Sequence, residues 1–390
     1  MVATKNVGHH FYKKRSEEMA KYNIAQIQKM VDRLAEIGIN TEKAILSMEF
    51  EDLEKLPNYT ITDIKTLISL RKAIRKNKKA LFLFLGEEIE YIAKETTKKM
   101  ETMITDFNGE RMYKKIKEAR IYLADIPNKF TKVNYIVSEN AIYIRGEENI
   151  REIDEVMFHE IFHYIQCNKE NNEGGMPNQM GLCKFGSYSI KGLALNEAAI
   201  QLIISMVFDN KQESNQYFGI QIKSIKNKYF PILCALLQQI IYILGHMPLL
   251  TSILENSDDF QIEFEKFAGK NSYNFLLESF DKMMKSRDNI VEKNRIINNK
   301  DLDNRKKKII KKEIEIYVKE IQNHFLAIQK LCYTGYFNPM FKKTRTRKDM
   351  NELKKEIEKY HMHTGIVNEK DDFMIYVQKQ IRKINKKIKE

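Results

Sequence analysis

The chain is poor in cysteine and has no long hydrophobic run, and each of these shortages argues against a class of protein. None of its four cysteines has Cys-x-x-Cys spacing. We therefore expect reduced, mostly buried thiols in a cytoplasmic protein rather than a disulfide framework. The most apolar runs, 81–85 and 230–244, fall short of the ~20 residues that span a bilayer. Residues 1–15 lack the apolar core of a signal peptide, so a soluble protein is expected.

The excess of positive charge is confined to the C-terminal part of the chain. The whole sequence has 66 lysines and arginines and 53 aspartates and glutamates, a net charge of +13. Residues 281–390 hold 29 of the basic and 16 of the acidic residues, and this difference accounts for all of the excess. Such a distribution indicates either an acidic partner, a membrane surface or a nucleic acid, or a solvated set of lysine-rich helices.

Changes in composition and hydrophobic period predict three regions. Residues 1–85 have the period of short helices, and residues 86–285 combine two predicted strands with several apolar helices. Residues 286–390 form a basic helical region, in which Gly335 and Pro339 are predicted to end a long amphipathic helix. The expected fold class is therefore α+β and predominantly α-helical.

One five-residue stretch, His159-Glu-Ile-Phe-His163, stands out in a chain with only eight histidines. It follows a predicted β-hairpin, formed by 133–137 and 141–145, and lies on a predicted helix. Residues four apart stack on one face of a helix, so the two imidazoles can bind one metal ion. The helix is apolar on nearly all sides except for one polar stripe, which predicts burial. Buried polar groups need partners, and a metal ion is the economical partner for two histidines.

A second apolar helix, predicted over 192–208, carries a similar polar stripe. Glu197, Gln201 and Ser205 follow one another at intervals of four. The two helices are separated by a segment rich in glycine and asparagine, 167–191, which is predicted to be a loop over the mouth of the site. Cys167 and Cys183 lie in that segment, and a thiolate ligand would be a further possibility, although their spacing matches no common zinc pattern.

These residues resemble the gluzincin branch of zinc metallopeptidases, which has a thermolysin-like architecture. The resemblance covers about 120–255, is carried by His159-Glu-x-x-His163 and Asn196-Glu197, and extends to poorly characterised bacterial zincin-like proteins. It implies a zincin-like core that hydrolyses peptide or protein substrates. It also implies that His159, His163 and Glu197 bind one Zn²⁺ per chain and that Glu160 is the general base.

Elementary zinc chemistry supports the same residues independently. A hydrolytic zinc site takes three protein ligands and leaves one position for water, whose proton a neighbouring carboxylate can accept. Glu197 is favoured as the third ligand because its competitors lie in the predicted loop or at a helix end. These competitors are Glu170, Glu173 and Asp209.

The sequence departs from the family pattern at two points. Glu197 follows His163 by 34 positions, a longer separation than in thermolysin-like enzymes. Gln201 occupies the place where the family tends to have an aspartate that orients a zinc-bound histidine, and an amide lacks the negative charge that raises ligand basicity. The second hypothesis is therefore a non-hydrolytic zinc-binding protein whose basic helices in 286–390 bind nucleic acid or an acidic partner.

A peptidase also needs a donor for the oxyanion that forms on the attacked carbonyl. Tyr229, at the predicted start of a third apolar helix that ends at Gly245, is the first candidate. The predicted hairpin would supply an edge strand to which an extended peptide adds. Tyr242, His246 and Tyr188 are further candidates for the donor.

Overall fold

The computed structural model describes residues 24–58, 60–76, 82–83, 87–104, 107–124, 132–137, 140–145, 153–167, 179–186, 189–208, 211–226, 229–298, 302–364 and 372–389. Over these residues the fold is α+β and mostly helical, as the sequence predicts. Contacts group the chain into two compact units, Met1–Ile165 and Gln166–Glu390.

The first unit combines helices with a four-stranded sheet of order β1-β2-β4-β3. Strands β3 and β4 pair antiparallel, which confirms the predicted hairpin, and β2 runs parallel to β4. The elements in chain order are α1 (Ile24–Glu36), α2 (Glu42–Ser47), a 3-10 helix (Phe50–Lys55), α3 (Ile61–Lys76), β1 (Phe82–Leu83), α4 (Glu87–Met103), α5 (Glu110–Lys117), β2 (Arg120–Ala124), β3 (Val133–Ile136), β4 (Ala141–Arg145) and α6 (Glu155–Gln166), whose last residue begins the second unit.

Each face of this sheet packs against helices. Side chains alternate between the two faces of a strand. On one face Tyr122 and Tyr143 stack with ring centroids 5.4 Å apart and join the apolar core formed with α1, α2 and α3. On the other face Tyr135 contacts Tyr164 of α6, edge to face at 6.1 Å. The predicted hairpin thereby holds the motif helix.

The second unit is built mainly of long helices. Helix α7 packs against α8 and α11, and α11 lies along α12. The elements in chain order are β5 (Gln179–Met180), β6 (Cys183–Phe185), β7 (Ile190–Lys191), α7 (Leu193–Phe208), β8 (Gln212–Tyr217), β9 (Ile220–Ile225), α8 (Pro231–Leu244), α9 (Met247–Glu255), α10 (Asp259–Ala268), α11 (Ser272–Ile297), α12 (Asn304–Lys343), α13 (Arg347–Thr364) and α14 (Asp372–Lys389).

Two β elements of this unit were not predicted. The segment 167–191 was predicted to be a loop, but β5, β6 and β7 form a small antiparallel sheet within it. Strands of two or three residues are too short to show a hydrophobic period. Strands β8 and β9 form a hairpin whose turn, Phe218-Gly219, has positive φ at both residues. All residues of β8 except the last have exposed polar side chains. The strand therefore lacks the alternation of apolar and polar residues by which the sequence could have predicted it.

The prediction that Gly335 and Pro339 end the long C-terminal helix was wrong, because α12 continues to Lys343. Gly335 serves close packing instead, since a Cβ there would lie 2.8 Å from the Phe267 ring and from its carbonyl oxygen. The predicted end at Gly245 is confirmed, because this residue follows α8 with φ +79°. The division of the chain into three regions remains a prediction. One of its predicted boundaries, residue 285, lies inside α11.

Within the described ranges, no single helix is long and apolar enough to cross a membrane. Among the described helices, the bent pair α8 and α9, with 113° between its members, meets the requirements of length and composition when taken together.

Candidate metal centre

From Met157 onwards, the accessible side chains of the motif helix α6 are those of the motif itself. Between 157 and 166 every side chain is buried except those of His159, Glu160 and His163, which are half-buried. The apolar neighbours, including Phe158 and Phe162, are fully buried, so packing fixes the helix while one stripe keeps access to solvent. The sequence predicts that this polar stripe is buried, and the structure shows that it is partly accessible to solvent instead. Partial access suits a site that must admit a small ligand or substrate.

The two motif histidines stand one helical turn apart with their rings facing the same point. His159 Nε2 and His163 Nε2 are 3.0 Å apart, and the ring centroids are 4.7 Å apart. Two nitrogen ligands of a tetrahedral zinc ion, each about 2.0–2.1 Å from the metal, would be separated by about 3.3 Å. The observed spacing of the two nitrogens therefore needs little adjustment to accept such an ion.

Glu160 is held by the edge strand of the first sheet. The backbone N–H of Tyr135, in β3, donates to Glu160 Oε2 over 2.7 Å. Strand β3 pairs with β4 on one side and lies at the edge of the sheet, so this N–H points outwards. A charge-assisted hydrogen bond of this kind restricts the carboxylate to one position. The predicted addition of a peptide to this edge remains a prediction, and one outward N–H of the edge is already engaged.

Helix α7 follows the same pattern of selective access. Every residue from Ala194 to Ser205 is buried except Glu197, which is half-buried. A carboxylate in such an apolar helix is costly unless its charge is compensated. The ligand atoms of His159, His163 and Glu197 all lie within 4.8 Å of one another. They are the three residues that the sequence predicts as metal ligands, and that role remains a prediction.

A buried pair of amides ties the last residue of α6 to the start of α7. Gln166 Nε2 donates to Asn196 Oδ1 over 3.0 Å, and Asn196 Nδ2 donates to Gln166 Oε1 over 3.1 Å. Asn196 Oδ1 also accepts from the backbone N–H of Leu182, and Asn256 Nδ2 donates to the backbone carbonyl of Gln166. Because Gln166 and Asn196 are each 0% exposed, these bonds are shielded from water. The sequence marks Asn196, as part of the Asn-Glu pair, but not its pairing with Gln166.

Asp281, in α11, caps the start of α7. Its carboxylate accepts from the backbone N–H of Gly192 over 2.8 Å and from that of Ala194 over 2.9 Å. The position is favourable because the first N–H groups of a helix have no partner within the helix. Burial raises the pKa of Asp281 above its usual value, although the two N–H donors oppose this shift.

Replacing Asp281 with alanine is expected to lower the free energy of unfolding by about 1–3 kcal/mol, because two partly buried donors lose their acceptor. Asp281→Asn keeps one acceptor oxygen and should cost less. Thermal unfolding followed by circular dichroism would measure both variants. Unfolding temperatures equal to that of the wild type in both would show that Asp281 does not stabilise α7.

The remaining predicted residues differ in their surroundings. Gln201 is buried, and its amide nitrogen donates to Ser205 Oγ over 3.2 Å. Tyr229 lies two residues before α8, which begins at Pro231, and is 38% exposed. The role of Gln201 in orienting a zinc-bound histidine and the role of Tyr229 as a donor to the oxyanion remain predictions. The Tyr242 hydroxyl donates to Glu356 Oε1 over 2.8 Å, so it already has an acceptor.

His246, Cys167 and Cys183 are the last candidate residues that the structure describes. His246 precedes α9, and burial lowers its pKa. All four cysteines of the chain are buried, free thiols. Burial, followed by the charges of Asp281 and Glu197, raises the pKa of Cys183 to about 12, which disfavours the thiolate that binds metals. Four residues lie outside the part of the chain that the structure describes: Glu170, Glu173, Tyr188 and Asp209.

Comparisons of the chain with protein-family models, with curated proteins and with solved structures found no match.

Proposed function

We propose that the protein is a zinc-dependent metallopeptidase with a zincin-like core. The observation that carries this proposal is the convergence of His159, His163 and Glu197 within 4.8 Å. Two imidazoles and one carboxylate form a donor set used by hydrolytic zinc sites, which leave a further position open. The selective exposure of the motif side chains adds to this support, since a purely structural zinc site takes four protein ligands and is closed.

The proposed chemistry assigns a separate task to each side chain. His159, His163 and Glu197 would hold Zn²⁺, which supplies a Lewis acid that polarises a carbonyl group and lowers the pKa of water. Glu160 would accept a proton at its carboxylate and pass it to the leaving amine. Its Oε2 accepts from the Tyr135 N–H, which fixes the position of the carboxylate. The extended strand β3 would align the peptide backbone.

Metal analysis tests the ligand set directly. We expect one zinc ion per chain in the purified wild type and loss of most of it in His163→Ala and in Glu197→Ala, because two ligands cannot retain the ion. Glu358→Ala and His361→Ala, which change a carboxylate and an imidazole outside the cluster, are matched controls that should keep the metal. Elemental analysis after dialysis against a weak chelator would give the stoichiometry.

Cleavage of a peptide library by the same preparations separates the two functional hypotheses. A peptidase should lose activity with a strong chelator and regain it with zinc. Zinc bound by these residues without any cleavage would favour the non-hydrolytic zinc-binding protein. A wild-type protein that takes up no zinc, or variants that bind it equally well, would contradict the proposed site itself.

A further inference from the structure

A group of exposed cations gathers at one end of the last three helices. The end of α12, the short turn after it and the start of α13 together contain five basic residues within seven positions, and the middle of α14 contributes three. All eight side chains are exposed. We call this group the basic pole; it comprises Lys342, Lys343, Arg345, Arg347, Lys348, Lys379, Arg382 and Lys383.

Aromatic packing brings the two halves of the basic pole to the same end. Phe373, near the start of α14, packs on Phe337 of α12 with ring centroids 5.4 Å apart. Tyr376, one turn later, packs on Phe341 at 5.7 Å and on Tyr333 at 5.0 Å. From Phe373 to Tyr376 the partners of α14 shift towards the end of α12, and we infer that the two helices run in the same direction. On this inference residues 379–383 lie about 5–10 Å further along the axis, towards the turn where α12 ends.

The fold of α13 is consistent with this placement. Only three residues, 344–346, join α12 to α13, and Tyr360, near the end of α13, packs on Phe337 at 5.2 Å. Helix α13 therefore runs opposite to α12 and α14, and its first turn lies at the basic pole.

Within the part of the chain that the structure describes, few carboxylates lie near the cations of the basic pole. Among the described residues, none of the eight forms a salt bridge, whereas Lys293 in α11 pairs with Glu313 in α12 over 2.6 Å. The nearest carboxylate in sequence, Asp349, accepts from the backbone N–H groups of Arg345 and Thr346 and lies close enough to Lys348 to interact with its charge, so one negative charge stands beside the eight positive ones. Uncompensated like charges repel one another and create a strong positive potential. A bound polyanion would relieve that repulsion.

We propose that the basic pole binds the phosphate backbone of a nucleic-acid duplex. Within the described residues, no large hydrophobic side chain is exposed between 342 and 349 or between 379 and 385. A membrane-binding helix usually adds apolar side chains that insert into the lipid, a protein interface is dominated by buried aromatic or apolar anchors, and a single strand stacks its bases on aromatic rings. Duplex phosphates need only cations, and the three arginines can bind them with paired N–H donors.

Salt-dependent binding to a fluorescent 25-base-pair duplex tests the proposal on the full-length protein. The variant Lys342→Gln/Arg345→Gln/Arg347→Gln/Lys348→Gln should bind at least about tenfold more weakly. Each phosphate contact contributes about 0.9 to the slope of log affinity against log salt, so this slope should fall by up to about 3.6. The matched control Lys306→Gln/Lys307→Gln/Lys308→Gln/Lys311→Gln removes the same charge from the other end of α12 and should retain a larger share of the affinity.

Further measurements keep the outcome decisive. Lys379→Gln/Arg382→Gln/Lys383→Gln tests the α14 half independently and replaces the first variant if circular dichroism shows that the first does not fold. His163→Ala should bind the duplex normally, because the basic pole contains no proposed metal ligand. The proposal would be overturned by equal losses in the variant and its matched control, by no binding to the duplex, or by preferential binding to vesicles of phosphatidylserine and phosphatidylcholine or to polyglutamate.

Discussion

Glu160→Gln is expected to reduce peptide hydrolysis by a factor of at least about 10²–10⁴, the usual contribution of a general base, while zinc stays bound. Glutamine has the same shape as glutamate but cannot accept the proton. Its amide oxygen can still accept the hydrogen bond that the Tyr135 N–H now donates to Glu160 Oε2. The side chain should therefore keep its position and lose only its basicity. Hydrolysis rates and zinc content would be measured on the same preparation.

The matched control is Glu118→Gln, an exposed substitution of the same type outside the cluster. It should change neither the rate nor the metal content. A Glu160→Gln variant that cleaves peptides at the wild-type rate would assign the proton transfer to another group. Loss of zinc in that variant would instead make Glu160 part of the metal-binding structure.

The sequence predicted the parts of the site that follow from helical geometry. Spacing of four residues was sufficient to place His159 and His163 on one face, with their Nε2 atoms 3.0 Å apart. The hydrophobic pattern of α7 singled out Glu197, and the alternation of β-branched and aromatic residues predicted the hairpin of β3 and β4. These features depend on residues that are close together in the sequence, so the order of the residues is sufficient to predict them.

The sequence could not predict the features that depend on contacts between distant segments. The bond from the Tyr135 N–H to Glu160 involves the backbone, which has no sequence signature. Gly335 and Pro339 have the chemistry of helix breakers, but tertiary packing kept both inside α12. The amide pair of Gln166 and Asn196 joins residues thirty positions apart. A polar residue in an apolar helix indicates that it needs a partner, but the sequence does not identify that partner.

The same amide pair explains why we expect Gly181→Ala to be strongly destabilising. Gly181 begins the two-residue turn between β5 and β6 and has φ +58°, a conformation that favours glycine. A Cβ there would lie 2.3 Å from Asn196 Oδ1 and 2.4 Å from Gln166 Nε2. The amides would have to move apart and lose buried hydrogen bonds. Overpacking, backbone strain and the lost bonds together should lower the free energy of unfolding by about 3 kcal/mol or more.

Gly245→Ala supplies a matched control, because Gly245 also has positive φ, at +79°, but a Cβ there would have no atom within 4 Å. It should show only the cost of the backbone conformation, about 1–3 kcal/mol. Unfolding temperatures measured side by side would isolate the contribution of the amide pair, and equal temperatures for the two variants would contradict it. Zinc affinity should also fall in Gly181→Ala and not in Gly245→Ala, because Gln166 ends the helix of the two histidines and Asn196 immediately precedes Glu197.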